Sequence, residues 1–252
     1  MKDHLQISVF KNKTRLKLKV PSEGNIRIFL RILIIFAISL SFGETSTIEC
    51  NYKYSSFRVN GVKPDVMMND VYFCGGELTD KCDSRMRVIG VSSNHLPNKS
   101  LRDVQELALQ NQNIPVLPKG LGDFFPFISI LFLARLGLEA ISSDDLNYTK
   151  LKFLILKENN LESLSSDLFK YVPNLELLDL HDNPVTILGK NILDFLPKVR
   201  IVFLYNTACI GKWPNGNFHS VEKVQQLKEI LKSTCTPRRI ENQCQAGFTF
   251  EG

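Results

Sequence analysis

Apolar residues recur through the middle of this 252-residue chain at a spacing that is neither helical nor simply alternating. Numbered from Leu151 as position 1, Leu151, Leu154, Leu156, Asn159, Leu161, Leu164, Phe169 and Val172 fall at positions 1, 4, 6, 9, 11, 14, 19 and 22. Numbering afresh from Leu175, the same positions hold Leu175, Leu178, Leu180, Asn183, Val185, Leu188, Leu193 and Leu196. One unit earlier, Ile128, Leu131, Leu133, Leu138, Ile141 and Leu146 keep the frame with one residue fewer. Val104, Leu107, Leu109, Ile114 and Leu117 open the series, and Val199, Val202 and Leu204 begin a fifth, partial unit that ends at Cys209. Four full units of 23 or 24 residues plus a partial one result.

Positions 4 and 6 lie two apart, so in a strand both point to one face, the core side. Position 9 stands where the chain turns away from the sheet. An asparagine amide there can donate to and accept from neighbouring turns, so that buried backbone groups are not left unpaired. Positions 11, 14, 19 and 22 return on the opposite, convex side and close the core, with a short helical turn expected in 163–170. No unit buries much alone, but stacked units share a continuous core. This period and pattern are those of leucine-rich repeats. The sequence departs from the pattern at position 9, which is Gln112 in the first unit, Leu136 in the second and Thr207 in the last. The ladder of asparagine hydrogen bonds is therefore expected to break at Leu136. The predicted fold is an α/β leucine-rich-repeat solenoid, with a parallel sheet on its concave face and disulfide-tied caps at both ends.

Positions 3 and 5 alternate with the buried leucines and are expected to point outward. Position 3 reads Glu106, Ile130, Phe153, Leu177, Ile201, and position 5 reads Ala108, Phe132, Ile155, Asp179, Phe203. Ile130, Phe132, Phe153, Ile155, Leu177, Ile201 and Phe203, with Tyr205 at the rim, would form one apolar face. Such a patch usually marks an interaction site. The reading is of an extracellular protein partner held on this face. Cover by a cap loop, the tail or a second copy is the bland alternative. Homodimerisation through the same face, in a structural or adhesion role, is the second functional reading. A small apolar ligand or lipid is a third, and it needs a closed pocket that an open concave sheet rarely provides.

Charge adds little. The net +5 is concentrated in residues 1–43, which carry eight Lys or Arg against Asp3 and Glu23, so the rest is near neutral and nucleic acid is not an expected partner. That segment has the layout of an export leader: basic residues to Arg31, eleven uncharged residues from Ile32 to Phe42, and a small-x-small site at Ser41-Phe42-Gly43. Two fates are open, a cleaved signal giving a secreted protein or a single-pass anchor spanning residues 26–43. All six cysteines (Cys50, Cys74, Cys82, Cys209, Cys235 and Cys244) follow the leader and flank the repeats. In an exported chain they read as disulfides. Cys50 with Cys74 is placed to staple an N-terminal cap at 44–103, in which 87–91 would be an edge strand. Cys209 with Cys235 closes a C-terminal cap at 209–235 over the repeats of 104–208, leaving 236–252 as a tail. Between those two cysteines, Val221, Val224, Leu227 and Leu231 recur every three or four residues, the signature of an amphipathic helix. Cys82 and Cys244 either pair with each other or link chains. Asn98-Lys-Ser and Asn147-Tyr-Thr are expected glycosylation sites; Asn12-Lys-Thr lies ahead of the apolar segment and is not.

The arrangement resembles the secreted leucine-rich-repeat proteins of insects, above all of flies and midges. The resemblance runs from about Ile48 to Cys235 and rests on three segments: Ile48-Glu-Cys50, the run Val88 to Val104, and Leu204-Tyr-Asn-Thr-Ala-Cys-Ile210. Asn206 stands three residues before Cys209 where that family usually has two, and Cys82 and Cys244 exceed its four-cysteine layout. The resemblance implies extracellular recognition, in some members within innate immunity.

Nothing in the sequence has the spacing of catalytic or cofactor chemistry. The three histidines after the leader, His95, His181 and His219, lack metal-ligand spacing, and no hydrolase or nucleotide-binding motif is present. Asp179 and His181 would be polar decoration of an exposed strand, and Asp144-Asp145 the start of a convex turn. The protein is therefore read as a binding protein without enzyme activity, cofactor or metal.

Overall fold

The computed structural model describes residues 6–11, 14–19, 45–59, 66–79, 86–209 and 216–234. The apolar leader segment, Cys82, Cys235, Cys244 and the tail fall outside these residues. The chain divides into two compact units, 1–45 and 46–252. In the first, β1 (Gln6–Lys11) and β2 (Thr14–Lys19) form an antiparallel pair with Ile7 opposite Leu18 and Val9 opposite Leu16. The basic stretch expected to be only a leader thus carries alternating apolar residues that suit a hairpin.

In the second unit, nine strands make one sheet. Its first three are β3 (Thr45–Val59), β4 (Val66–Leu78) and β5 (Arg87–Ser92). Then come the repeat strands β6 (Glu106–Gln110), β7 (Ile130–Ala134) and β8 (Phe153–Ile155). The short β9 (Ser163–Leu164) and β11 (Ile187–Leu188) pair with each other on the returning side, while β10 (Leu177–Asp179), β12 (Ile201–Phe203) and β13 (Asn217–Phe218) complete the main sheet. Its order is β13-β12-β10-β8-β7-β6-β4-β3-β5, which leaves β5 at the edge. Strands β6, β7, β8, β10 and β12 are parallel and in register, with Leu107, Leu131, Leu154, Leu178 and Val202, all at position 4, side by side. This is a leucine-rich-repeat solenoid with the parallel sheet on its concave face.

The cap continues the sheet because β4 pairs parallel with β6, Cys74 beside Leu107, while β3 returns antiparallel to β4. A disulfide joins Cys50 to Cys74 across this pair. Gly76 is required here by close approach. A methyl group on it would lie 2.9 Å from both Ile48 and Leu109 side chains. Cys209 is also disulfide-bonded, its partner lying outside the described residues.

Position 9 works as the sequence suggests, with informative substitutes. Asn159 Nδ2 donates to the carbonyls of Leu133 and Leu156 at 2.8 Å, and its Oδ1 accepts from the amides of Leu136 and Leu138. Asn183 repeats the arrangement one unit on, accepting from Leu161 and donating to Leu156 and Leu180. At the break, the amide of Ile114 donates instead to the main-chain carbonyl of Leu136 at 2.7 Å, so the rung survives without the side chain. Gln112, one methylene longer than asparagine, bridges to the cap, accepting from Leu78 N and donating to Gly76 O. Thr207 retains only the bond to Leu204 O, 2.7 Å long.

Just before each of these residues, at position 8, every unit turns through the left-handed region: Asn111, Arg135, Glu158, Asp182 and Asn206 all have φ between 54° and 57°. Asparagine and aspartate tolerate that conformation, whereas arginine and glutamate rarely adopt it.

The convex side is made of turns and short helices. The stretch expected to hold a helical turn after Ser163 is instead a short strand followed by turns, bonded Leu168 N to Ser165 O and Val172 N to Phe169 O. Asp144-Asp145 begins a turn, as its position implies. Within the one-turn 3-10 helix Ser143–Leu146, Asp145 accepts from the amide and hydroxyl of Ser142. Helix α1 (Leu121–Phe124) precedes it, and α2 (Val221–Thr234) closes the far end. Val224 and Leu227 bury against the last repeat, Leu231 packs at the margin, and Val221 is exposed.

Candidate recognition site

The concave face is not open. Beyond the disulfide the β3–β4 pair bulges, with the register slipping between Ser55 and Phe57 and Asp70 turning at φ 54°. Bulges bend and re-aim a strand. Past this one Phe57, Val59, Val66 and Met68, with Val71 just before it, pack on Ile130, Phe153, Ile155, Leu177 and Ile201 as a second apolar cluster, separate from the main core. Phe57 stacks on Phe153 with ring centroids 5.1 Å apart. The five concave residues are at most 4% exposed.

This corrects the expectation of an exposed partner-binding face. Ile130, Phe153, Ile155, Leu177 and Ile201 face a roof supplied by their own chain, while Phe132, Phe203 and Tyr205 remain half-buried at its margin. The same cover removes most of the apolar area a homodimer through this face would need. The reason is physical. A row of large apolar side chains along five strands gains by leaving water, and the cap hairpin, bent at its bulge, is within reach. Burial of the hairpin's inner side chains should contribute on the order of 5–10 kcal/mol, offset in part by the entropy lost in ordering the hairpin. The sequence signal for the roof is the alternation of Phe57 with Val59 and of Val66 with Met68; it marks strands but not their destination.

Glu106, the one acidic residue of the position 3 row, is buried with the apolar cluster's neighbours. Burial raises its pKa to about 7, opposed by a 3.4 Å hydrogen bond from the Ser55 hydroxyl and by the charge of Lys53.

Where the roof ends, towards the C-terminal ends of the repeat strands, a cleft of about 430 Å³ remains between the hairpin and the sheet. Its floor includes Phe132, Ile155, Leu177 and Phe203, its roof Phe57, Arg58 and Val59, and its polar wall Lys157, Asp179, His181, Tyr205 and Asn217. Asp179 and His181 are buried rather than exposed decoration. His181 Nδ1 shares a hydrogen bond with Asp179 Oδ1, and its ring stacks on Tyr205 at a centroid distance of 4.2 Å. Burial raises the pKa of Tyr205, helped by the charges of Asp179 and Asp182. A carboxylate–imidazole pair invites a catalytic reading, but the cleft lining holds no serine, threonine or cysteine to act as nucleophile. Among the described residues no three His, Cys, Asp or Glu side chains are grouped to hold a metal.

Alongside the cleft, positions 7 and 8 of successive units form a polar edge. Arg135 donates to both carboxylate oxygens of Glu158, the Nη2 bond being 3.0 Å long, and each group reinforces the charge of the other. Lys157 Nζ lies 3.4 Å from Glu158. Asn206 Nδ2 donates to Asp182 Oδ1 at 2.6 Å. The sequence analysis names Tyr205 but not this edge, whose signal is the run of polar residues at position 8. The glycosylation candidates Asn98 and Asn147 are both exposed, Asn98 in a left-handed turn with φ 60°.

Residues 149–208 match the leucine rich repeat family model. Among curated proteins the chain has no match. Among solved structures it is similar to a chain in the structure of the Toll–Spatzle complex, a molecular hub in Drosophila development and innate immunity. That similarity is 19% identity with a TM-score of 0.41, covering 50% of this chain and 17% of the other.

Proposed function

We propose that this is an extracellular recognition protein that binds a protein partner along the C-terminal margin of its concave face, and that it is not an enzyme. The coarse part, a leucine-rich-repeat module of the protein-interaction kind, follows from the fold. The finer part rests on one observation: the sole apolar residues of the concave rows left half-exposed, Phe132 and Phe203, adjoin the polar edge of Arg135, Glu158, Tyr205 and Asn206. An aromatic centre bordered by charged and amide groups is the composition typical of interfaces. The Cys50–Cys74 disulfide supports an oxidising compartment. Export by the leader, its cleavage or retention as an anchor, glycosylation at Asn98 and Asn147, and a part in innate immunity belong to the same proposal. Among the described residues no helix is long and apolar enough to cross a membrane.

The test is site-specific photo-crosslinking in cells that express the protein. A photoreactive phenylalanine at Tyr205 should give one discrete adduct at the cell surface or in the medium. The same probe at Tyr171, exposed on the convex side, should give none. Equal adducts from both positions, or none from either, would contradict the reading.

A further inference from the structure

The edge of the solenoid where the chain enters the repeat strands is built differently from the recognition margin at their other ends. Residues 149–152, 174–176 and 198–200 lead into β8, β10 and β12 and are tied side by side across the units. Asn174 Nδ2 donates to Thr149 O at 2.8 Å, and Lys198 Nζ donates to Asn174 Oδ1 at 2.6 Å. In the row beside it, Glu176 lies between Lys152 and Arg200, 3.6 Å from the first and 3.1 Å from the second. Backbone bonds from Glu176 N to Lys152 O and from Arg200 N to Glu176 O hold these rungs in place.

Charge on this strip is unbalanced. Lys150, Lys152, Lys198 and Arg200 set four cations against the single carboxylate of Glu176. The three lysines are exposed, and among the described residues Lys150 and Lys198 pair with no carboxylate. At the recognition margin, by contrast, Arg135 and Lys157 are matched in number by Glu158 and Asp182. The body of the chain is near neutral, so the excess is local to the strip. Neighbouring strands lie about 4.8 Å apart, which puts the cations before β8 about 10 Å from those before β12, with Glu176 between them. A single small anion reaches one pair only. A chain that carries anionic groups at intervals can engage both pairs and pass the carboxylate.

We propose that this strip binds a sulfated glycan chain. Its sulfates would face Lys150 with Lys152 and Lys198 with Arg200, whose guanidinium fork suits an oxyanion. Glu176 holds two of the four cations in position. An anionic membrane is the poorer fit, because its charges form a plane and the strip is two residues wide. The choice of a glycan rests on the extracellular placement proposed above. The binding itself is separable from partner recognition, since the strip and Tyr205 lie at opposite ends of the strands, on the order of 20 Å apart.

A heparin-derived octasaccharide, titrated into the purified full-length protein by calorimetry, should bind at low salt and lose affinity steeply as salt is raised. The desulfated, N-acetylated octasaccharide should bind at least about tenfold more weakly. Lys150→Ser with Lys198→Ser, both at exposed positions, should lower affinity for the sulfated chain about tenfold. Lys190→Ser with Lys223→Ser removes the same charge from exposed sites on the convex side and on α2, and should bind as the wild type does. Absence of binding to the wild type, equal affinity for the desulfated chain, or equal losses from the two double variants would each overturn the proposal. So would tighter binding to phosphatidylserine vesicles than to the octasaccharide.

Discussion

Two rows of the concave sheet share one register and still have different fates. In the position 3 row, Ile130, Phe153 and Leu177 sit on strands whose position 4 leucines all point into the main core. Phe203 and Tyr205 follow the same frame on β12 and just beyond it. The first group is sealed under Phe57, Val66 and Val71, whereas the second is half-exposed beside a cleft. What differs is the row. The position 3 residues Ile130, Phe153, Leu177 and Ile201 are sealed on every strand from β7 to β12, whereas Phe132 and Phe203, at position 5, stay half-buried on the first and last of those strands. The hairpin, which continues the sheet from β4 beside β6, lies along the position 3 row and leaves the next row partly open. A repeat pattern specifies which side chains line a face. A segment outside the pattern decides whether that face is core or surface.

Aspartate substitutions should separate the two groups most strongly. Phe153→Asp places a charge in a dry cluster and also leaves a cavity. It should cost at least about 4 kcal/mol, comparable with the whole stability of a marginal domain, and should suppress the yield of folded protein. Phe203→Asp, at the open margin, should cost about 1 kcal/mol and leave that yield near normal. Similar losses from both substitutions in chemical denaturation would dissolve the distinction.

A smaller and pH-dependent effect should come from Glu106. Its folded pKa, about 7, exceeds the usual glutamate value of 4.5, so the folded state holds the proton more tightly. The stabilisation is complete below pH 4.5 and is lost as pH rises through 7. Above that pH, the cost of carrying the buried charge is roughly 3 kcal/mol at most. This is too little to lift a roof held by several apolar side chains. Glu106→Gln should therefore leave stability unchanged near pH 4, raise it by about 1–3 kcal/mol at pH 8, and flatten the intervening slope. A mutant that keeps the wild-type slope would show that Glu106 is solvated rather than roofed.

The part of the molecule that repeats was readable from sequence because each unit states the same instruction. Position 4 leucines fixed the register, and the amides of Asn159 and Asn183 fixed the turn, since each satisfies backbone groups that stacking buries. Edge strand β5 and helix α2 also followed from local pattern, though Val221, at the first turn of the helix, faces solvent. The break expected at Leu136 was half right. The side-chain rung is absent, but the main chain closes it.

Two features were not legible. Left-handed turns at Arg135 and Glu158 run against the local preference of both residues and are held by their amides, which donate to Lys157 O and His181 O of the next unit, and by the pairing of the two side chains. The roof depends on where a bulged hairpin lands, a long-range outcome that alternation in 51–78 does not encode. Reading the concave face as open was therefore correct about which residues line it and wrong about what they touch.

The central claim is that the concave face is closed by the chain's own hairpin. Hydroxyl-radical footprinting with peptide-level mass spectrometry measures it directly, residue by residue, on the intact protein. Phe153, Leu177 and Ile201 should stay unlabelled at doses that oxidise Phe203 and Tyr205. Labelling of Phe153 and Leu177 as heavy as that of Phe203 would mean the roof is absent and the whole face is open for binding.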